Sequence, residues 1–319
     1  MKQVGGHTQK RRPQVLLLGN GVNRAFGGGS WGELIRQISV NPNLPPDCEL
    51  HLPMPLRAIL VTGNTVGAQL REAAPVLYGK MGDPGHAEML RELLALDFDH
   101  ILTTNFSYEV EMAANPDKTL DDSGLAGMMR RADGVDTPEE AYQLHTCCDL
   151  EWQGHKTRLW HIHGEGRLPK TMILGHYYYG NLLRRVAEDL GGEDEDRLLR
   201  RPAGGGEIRS WAEAFLLGDV YTLGFGFDVS EVDLWWLLDR KRRERAETGK
   251  TRFYAPEETR RGDAINEKEE LLRVLGVEVC HCATRRPRGD AYERSGGFRS
   301  FYRAAIEDIR QQLEIYSRA

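Results

Sequence analysis

Short apolar runs recur along the chain and alternate with longer segments in which apolar residues are spaced three and four apart. Each run has four or five residues, which is typical of strands that are buried on both faces of a sheet. The sequence predicts such strands at Gln14–Leu18, His100–Thr103, Arg158–His161, Val220–Gly224, Thr251–Tyr254 and Val277–Cys280.

The segments between these runs have the spacing of amphipathic helices. In Glu88–Leu96, for example, Met89 and Leu93 fall on one face. Similar helices are predicted at Trp31–Ile38, Trp211–Leu217, Val232–Leu238, Lys268–Leu275 and Phe301–Tyr316. This alternation predicts an α/β protein with a Rossmann-like, doubly wound parallel sheet of about six strands. Such sheets bind ligands at the carboxyl ends of their strands.

The predicted domain organisation is simple. We expect an N-terminal tail over residues 1–13 and a single domain over residues 14–319. Helical insertions are expected around residues 114–157 and 175–217, since Pro116–Gln153 is polar and shows no clear strand. Together they predict a small helical, zinc-free module inserted into the sheet domain.

The composition excludes several classes of protein. The 319 residues carry a formal net charge of -6, which argues against a nucleic-acid or membrane-surface binder. The chain shows no apolar run of membrane-spanning length and no signal-peptide core near its start. Five cysteines, two of them adjacent, indicate reduced thiols rather than a disulfide framework. We therefore expect a cytoplasmic protein.

The first predicted strand ends in Gly19-Asn20-Gly21. Glycine at this place allows the backbone to approach a pyrophosphate group closely. A dehydrogenase fingerprint would also need a glycine where the chain has Arg24, and an acidic residue at the end of a second strand about twenty residues later. The motif predicts either a phosphate-binding turn or an ordinary turn between a strand and a helix.

The second predicted strand leads into Thr103-Thr104-Asn105. Asparagine is a favoured N-cap residue, so Asn105 is a candidate cap for a helix at Ser107–Ala113. Alternatively, its amide holds a ribose or a water molecule at the end of the strand. The sequence leaves both interpretations open.

Two histidines, His161 and His163, lie at the end of the third predicted strand and directly beyond it. A strand period of two places them on one face, and a His-x-His pair can bind metal. No matching set of carboxylates or cysteines lies at a recognisable spacing. His163, directly before Gly164, instead suggests an imidazole close to a ligand and suited to proton transfer. Glu165 is a candidate electrostatic helper or a surface carboxylate.

The stretch Tyr221–Asp228 repeats the arrangement of the first motif. A buried strand again ends in a glycine turn, here Gly224-Phe225-Gly226, and a helix follows. In a parallel sheet, a second turn of this kind approaches the other half of a dinucleotide.

Taken in order, these four motifs resemble those of the sirtuin-like NAD-consuming proteins. The resemblance extends from Gln14 to Cys282, and the stretches "TTNF" and "ILGHYYYG" resemble the bacterial sirtuin-like NADases of antiphage defence. It implies that NAD is the substrate and that Asn105 and His163 are the catalytic pair. It also implies that the NAD site is lined by Gly19, Asn20, Gly21, Asn23, Thr104, Gly224, Phe225 and Asp228.

Two features depart from the family pattern. Ser107 stands where such proteins often have aspartate, and the zinc module of deacetylating sirtuins, with its two Cys-x-x-Cys pairs, is not found in the sequence. The expected reaction is therefore hydrolysis of NAD, with no metal cofactor. An NAD-dependent protein deacylase and a non-catalytic NAD or ADP-ribose sensor are the alternatives.

An NADase must be held inactive in its own cell, and the sequence shows no fused sensor domain. We therefore expect a homo-oligomer, or control by a separate regulatory protein encoded nearby. Candidate contact surfaces are the apolar face of the helix at Phe301–Tyr316 and the irregular, charged segment Gly191–Glu207. The alternative for the helix is packing on its own sheet.

Overall fold

One continuous sheet dominates the computed structural model, which describes residues 11–45, 49–63, 83–117, 129–131, 142–191, 207–244, 248–257, 266–283 and 291–318. The described strands are β1 (Gln14–Leu18), β2 (His100–Thr103), β3 (Met129–Arg131), β4 (Thr146–Trp152), β5 (His155–His161), β6 (Asp219–Leu223), β7 (Thr251–Pro256) and β8 (Val277–Cys282). Their order across the sheet is β3-β4-β5-β2-β1-β6-β7-β8.

Six of these strands are parallel, and they are the six that the apolar runs predicted. Their order is β5-β2-β1-β6-β7-β8, so the chain builds outward from β1 first in one direction and then in the other. This order is that of Rossmann-like doubly wound sheets. The topological switch therefore lies at the carboxyl ends of β1 and β6, where such sheets bind ligands.

Helices cover both faces of the sheet. The described α-helices are α1 (Gly21–Arg24), α2 (Trp31–Gln37), α3 (Met54–Thr62), α4 (Pro84–Leu94), α5 (Glu109–Ala114), α6 (His176–Asp189), α7 (Trp211–Leu217), α8 (Val232–Arg243), α9 (Glu267–Val274) and α10 (Ala291–Arg318). In β1, Leu16 and Leu18 pack with α4 and α10, whereas Val15 and Leu17 pack with α6, α7 and α8. None of the described helices combines the length and the apolar character needed to cross a membrane.

The first expected helical insertion, around residues 114–157, was wrong, because this region contributes strands β3 and β4. β4 and β5 form an antiparallel hairpin whose turn residues, Gln153 and Gly154, have φ angles of 51° and 86°. This is the conformation that two-residue hairpins favour. Leu150 is buried while Glu151 is exposed, so β4 has one solvent-facing side. Its polar residues concealed the strand. The second expected insertion contains α6 and α7 among its described residues.

The apolar face of α10 is buried against the sheet of the same chain. Phe301, Ala305, Ile309 and Leu313 belong to the cluster that includes β1 and β6. Of the two interpretations of this helix, packing on its own sheet is therefore correct. The other candidate contact, at 191–207, falls largely outside the described residues.

A separate apolar cluster joins α2 and α3 to the end of β2. Leu34 and Ala58 from the two helices pack with Phe106, which follows β2. α2 begins with a capping box, in which Glu33 N–H donates to the Ser30 hydroxyl at 3.2 Å. This cluster supports one wall of a cavity at the carboxyl edge of the sheet.

Candidate active site

The turns that follow β1 and β6 contact each other through their backbones. The N–H of Gly19 donates to the carbonyl of Leu223 at 2.9 Å, and the N–H of Gly21 donates to that of Gly224 at 2.8 Å. A Cβ atom on Gly19 would lie 2.5 Å from the Gly224 oxygen. Glycine is therefore required by the contact between the two turns, whether or not a phosphate group binds there.

A cavity of about 410 Å³ lies beside this junction of turns. Three of the predicted site residues, Asn20, Asn23 and Asn105, come together in its wall. The full lining is Asn20, Asn23, Phe26, Gly27, Gly28, Gly29, Ser30, Trp31, Glu33, Leu34, Gln37, His86, Asn105, Phe106, Ser107 and Glu109. The cavity thus occupies the carboxyl ends of β1 and β2, as expected for a ligand site in a doubly wound sheet.

The side chain of Asn105 lacks a partner within the described structure. The residue is 5% exposed, and its buried Oδ1 accepts no hydrogen bond there. Its main chain is held instead, because its N–H donates to Thr103 Oγ1 at 3.1 Å and its carbonyl accepts from His161 Nδ1 at 2.8 Å. The next helix begins at Glu109 without a side-chain cap. The helix-cap interpretation of Asn105 is therefore wrong.

His86, in α4, was not identified from the sequence. Burial lowers its pKa to about 4, so the ring is neutral near pH 7. Its Nε2–H donates to Asn23 Oδ1 at 3.1 Å, and its ring stacks on Phe26 with centroids 5.0 Å apart. His86 thereby orients the Asn23 amide in the cavity wall. The sequence does contain a signal for His86: its helical spacing from Leu90 and Leu93 places it on the buried face of the helix.

One buried carboxylate lines the cavity next to Asn105. Glu109 is buried, accepts a hydrogen bond from the Ser107 hydroxyl, and has its pKa raised by burial. Ser107 was recognised as a departure from the family pattern, and the acidic group lies two residues further along. An acidic residue in the first turn of a helix is common for electrostatic reasons, so nothing in the sequence distinguished Glu109.

His163 lies outside the wall of this cavity and is 1% exposed. Its Nε2 is 3.0 Å from Asp233 Oδ2, and its Nδ1 is 3.5 Å from Glu231 Oε2. The Tyr179 hydroxyl donates to the same Glu231 carboxylate at 3.1 Å. Burial by itself would lower the pKa of His163, but the two carboxylates raise it overall. Burial in turn raises the pKa of Glu231 to about 7.

Among the described residues, His163, Glu231 and Asp233 also form the one group spaced closely enough to hold a metal ion. The two carboxylates face opposite ring nitrogens, whereas a single metal ion binds only one nitrogen of an imidazole. The geometry is that of an imidazolium between two carboxylates. The expectation that the chain binds no metal stays a prediction.

A second cavity, of about 190 Å³, receives two more of the predicted residues. Its lining is Gly224, Phe225, Gly226, Phe253, Tyr254, Ala255, Pro256, Asn266, Lys268, Glu269, Phe298, Phe301 and Tyr302. It lies against the same junction of turns, because a Cβ atom on Gly21 would lie 2.5 Å from the Tyr302 hydroxyl. Four of the eight predicted NAD residues are thus divided between two cavities that adjoin one glycine junction: Asn20 and Asn23 line the larger, and Gly224 and Phe225 line the smaller.

Four of the predicted NAD residues, Gly19, Gly21, Thr104 and Asp228, line neither of these two cavities, and Gly19 and Gly21 form the junction between the turns. Thr104 is buried, and Asp228 is exposed in the turn before α8. The Asp228 carboxylate accepts hydrogen bonds from both the N–H and the hydroxyl of Ser230, at 3.0 and 2.6 Å. Asp228 therefore stabilises a turn in this structure.

Gly164, the residue after His163, should not tolerate a side chain. Its φ of 87° is in the left-handed region, and a Cβ atom there would overlap the carbonyl of Thr171. We expect Gly164→Ala to lower the free energy of unfolding by about 2 kcal/mol or more, measured by urea denaturation. Gly180→Ala, in α6 with open space around the new methyl group, is the matched control and should not destabilise the protein. Equal stability of both variants would contradict the expected strain at Gly164.

Comparison with known proteins does not assign this chain to a family. No model of a protein family matches it, and no curated protein sequence matches it either. The resemblance to the sirtuin-like proteins therefore depends on the four motifs, and the functional assignment depends on the chemistry of the larger cavity, which residues of the first two motifs line.

Proposed function

We propose that the chain hydrolyses NAD to nicotinamide and ADP-ribose. The observation that carries the proposal is the side chain of Asn105. It lines the larger cavity, and its buried amide oxygen has no partner within the described residues. An unpaired buried polar atom costs free energy, and a functional role is one explanation for its retention. The motif order had indicated the same residue independently of this geometry.

The chemistry of the larger cavity suits a flat, positively charged group. Its volume of about 410 Å³ is within the range of small-molecule sites. Phe26, Trp31 and Phe106 supply aromatic surface, and Glu109 supplies a carboxylate. The nicotinamide ring of NAD is planar and carries a positive charge before cleavage, so it matches both features. We assign the nicotinamide riboside half of NAD to this cavity.

The smaller cavity is the proposed site of the adenosine half. Gly224 and Phe225 line it. It also reaches the Gly19–Gly21 turn, because Tyr302 in its lining lies next to Gly21. A dinucleotide bound across the switch point of a doubly wound sheet has its two halves on either side of such a junction. Its pyrophosphate would then lie over the Gly19–Gly21 turn.

The reaction breaks the bond between the nicotinamide nitrogen and C1′ of the ribose, and a water oxygen forms the new bond to C1′. The positive charge moves from the ring onto the ribose as the bond breaks, as in glycoside hydrolysis. Glu109 would stabilise that charge, and Asn105 would orient the water or a ribose hydroxyl. The water loses one proton, which leaves to solvent. The motif order assigns its acceptance to His163, but that imidazolium lies outside the cavity wall, faces a carboxylate with each ring nitrogen and has no lone pair for a further proton. The position of Asn105 and Glu109 in the cavity supports their roles.

Incubation of the purified chain with NAD, alone and with an acetyl-lysine peptide, tests the proposed reaction. We expect equal amounts of nicotinamide and ADP-ribose, at a rate that the peptide does not change. Peptide-dependent cleavage would indicate a deacylase, and binding of NAD without cleavage would indicate a sensor. Either result would contradict the proposed hydrolase.

We further propose that this activity is regulated and serves bacterial antiphage defence in the cytoplasm. The support is the likeness of "TTNF" and "ILGHYYYG" to that branch of the family, together with the danger of unrestrained NAD cleavage to the cell. Control would come from homo-oligomer assembly or from a separate protein. Repeating the NAD incubation over a range of protein concentrations, with light scattering on the same samples, shows whether activity follows assembly.

A further inference from the structure

We infer that the buried pair of His161 and Glu111 positions Asn105, which makes His161 a positioning residue for the reaction. The inference rests on the function proposed above for Asn105. It gives a role to the first histidine of the His-x-His motif, to which the catalytic interpretation assigned none.

His161 joins three segments of the site. It is the last residue of β5 and lies opposite Thr103, the last residue of β2. Its Nδ1 is 2.8 Å from the carbonyl oxygen of Asn105, and its Nε2 is 2.8 Å from Glu111 Oε1 in α5. Both partners are acceptors, so both ring nitrogens donate and the ring is an imidazolium. Its side chain is 5% exposed and that of Glu111 is 1% exposed, so solvent does not compete for these bonds.

The surroundings of His161 keep it charged near neutral pH. Burial by itself would lower its pKa, but Glu111 and then Glu165 raise the pKa of His161 to about 9. The titratable groups that face the ring from the neighbouring segments are Tyr108, Glu109, Glu111 and Glu165. A charged donor makes a stronger hydrogen bond to a carbonyl than a neutral one does.

The consequence concerns the Asn105 amide. Its oxygen makes no hydrogen bond within the described structure, so the direction of the side chain is set by the main chain that carries it. That main chain is held on one side by Thr103 and on the other by His161. Removal of the His161 donor would leave the Asn105 carbonyl buried and unpaired, and the loop after β2 would shift.

Two double variants separate positioning from general stability. His161→Phe with Glu111→Leu removes both charges, so neither is left unpaired, but the Asn105 carbonyl loses its donor. His161→Asn with Glu111→Leu restores a donor, because the amide nitrogen of asparagine reaches about the place of Nδ1. We expect the first variant to lower kcat for NAD cleavage by about 100-fold with little change in KM, and the second to recover about tenfold. Hydrogen–deuterium exchange of residues 103–108 should be faster in the first variant than in the second.

His145→Phe is the matched control. His145 has the same pattern of bonds, with Nδ1 3.1 Å from the carbonyl of Arg209 and Nε2 3.5 Å from Asp189, but it does not line the larger cavity. Its loss should lower stability without changing kcat or the exchange of residues 103–108.

The exchange measurement tests the positioning role of His161 even if the wild type does not cleave NAD. Absence of NAD cleavage by the wild type would overturn only the proposed function. Unchanged exchange in the first variant would overturn the inference. In an active enzyme, faster exchange with unchanged kcat would also overturn it.

Discussion

Replacement of Asn105 by alanine should lower the rate of NAD cleavage by about 100- to 1000-fold. One preorganised hydrogen-bonding group that acts on the reacting atoms typically contributes that much. The free energy of unfolding should change by less than about 0.5 kcal/mol, because the amide oxygen has no partner to lose and caps no helix. Steady-state NAD turnover and urea unfolding of the same preparations measure the two effects.

Asn115→Ala is the matched control for this change. Asn115 lies at the other end of α5, where its amide donates to the Glu111 carbonyl at 3.1 Å, and it does not line the larger cavity. That variant should cleave NAD at the wild-type rate. Asn105→Asp keeps an acceptor oxygen but no donor, so its residual activity shows which atom of the amide acts. Wild-type turnover by Asn105→Ala would remove this residue from the mechanism.

Replacement of His163 by alanine should lower the free energy of unfolding by about 3 to 5 kcal/mol. A purely catalytic role for His163 would predict a variant that loses activity but keeps its fold. The structure argues otherwise, because Asp233 is 0% exposed and would be left with Glu231 and without the cation between them. Urea unfolding measures the loss. Adding Asp233→Asn should recover part of it, since one buried charge is then removed.

The contribution of this cluster to stability should fall as the pH rises. The folded-state pKa of His163 is raised, so its contribution is complete below the ordinary pKa of histidine and is lost as the pH passes the folded value. Glu231, with a pKa of about 7, keeps in the folded state a proton that the unfolded chain has already released. Both effects lower the free energy of unfolding as the pH rises between about pH 5 and 8. Glu231 titrates in His163→Ala as well, so the His163 proton is what distinguishes the two proteins. The stability difference between wild type and His163→Ala should therefore shrink as the pH rises above the ordinary pKa of histidine, because the wild type then loses the cation that the variant already lacks, and a difference that grows there would contradict the assigned charges.

Much of the sheet could be predicted because its signal is local. The central strands β1, β2 and β6 are buried at every residue, and a strand buried on both faces carries a short apolar run that the sequence shows. β4 has one face toward solvent, so Asp149 and Glu151 interrupt its apolar positions and the strand was not recognised. Whether its polar alternation forms a strand depends on pairing with β5 in the hairpin and on the apolar cluster that buries Cys148 and Leu150 on its other face.

The sequence by itself determined the parallel sheet and the glycine turns at its carboxyl edge, and it indicated Asn105 as a candidate residue of the site. Only the tertiary structure decided which side chains meet there. His86 contacts Asn23 across 63 positions of sequence, His161 contacts Glu111 across 50, and His163 contacts Asp233 across 70. Burial and hydrogen bonding to such distant partners set the charge of each histidine, and no local pattern records those partners. For the same reason the sequence placed His163 beside Asn105 in one site, whereas the fold places it between the carboxylates of Glu231 and Asp233.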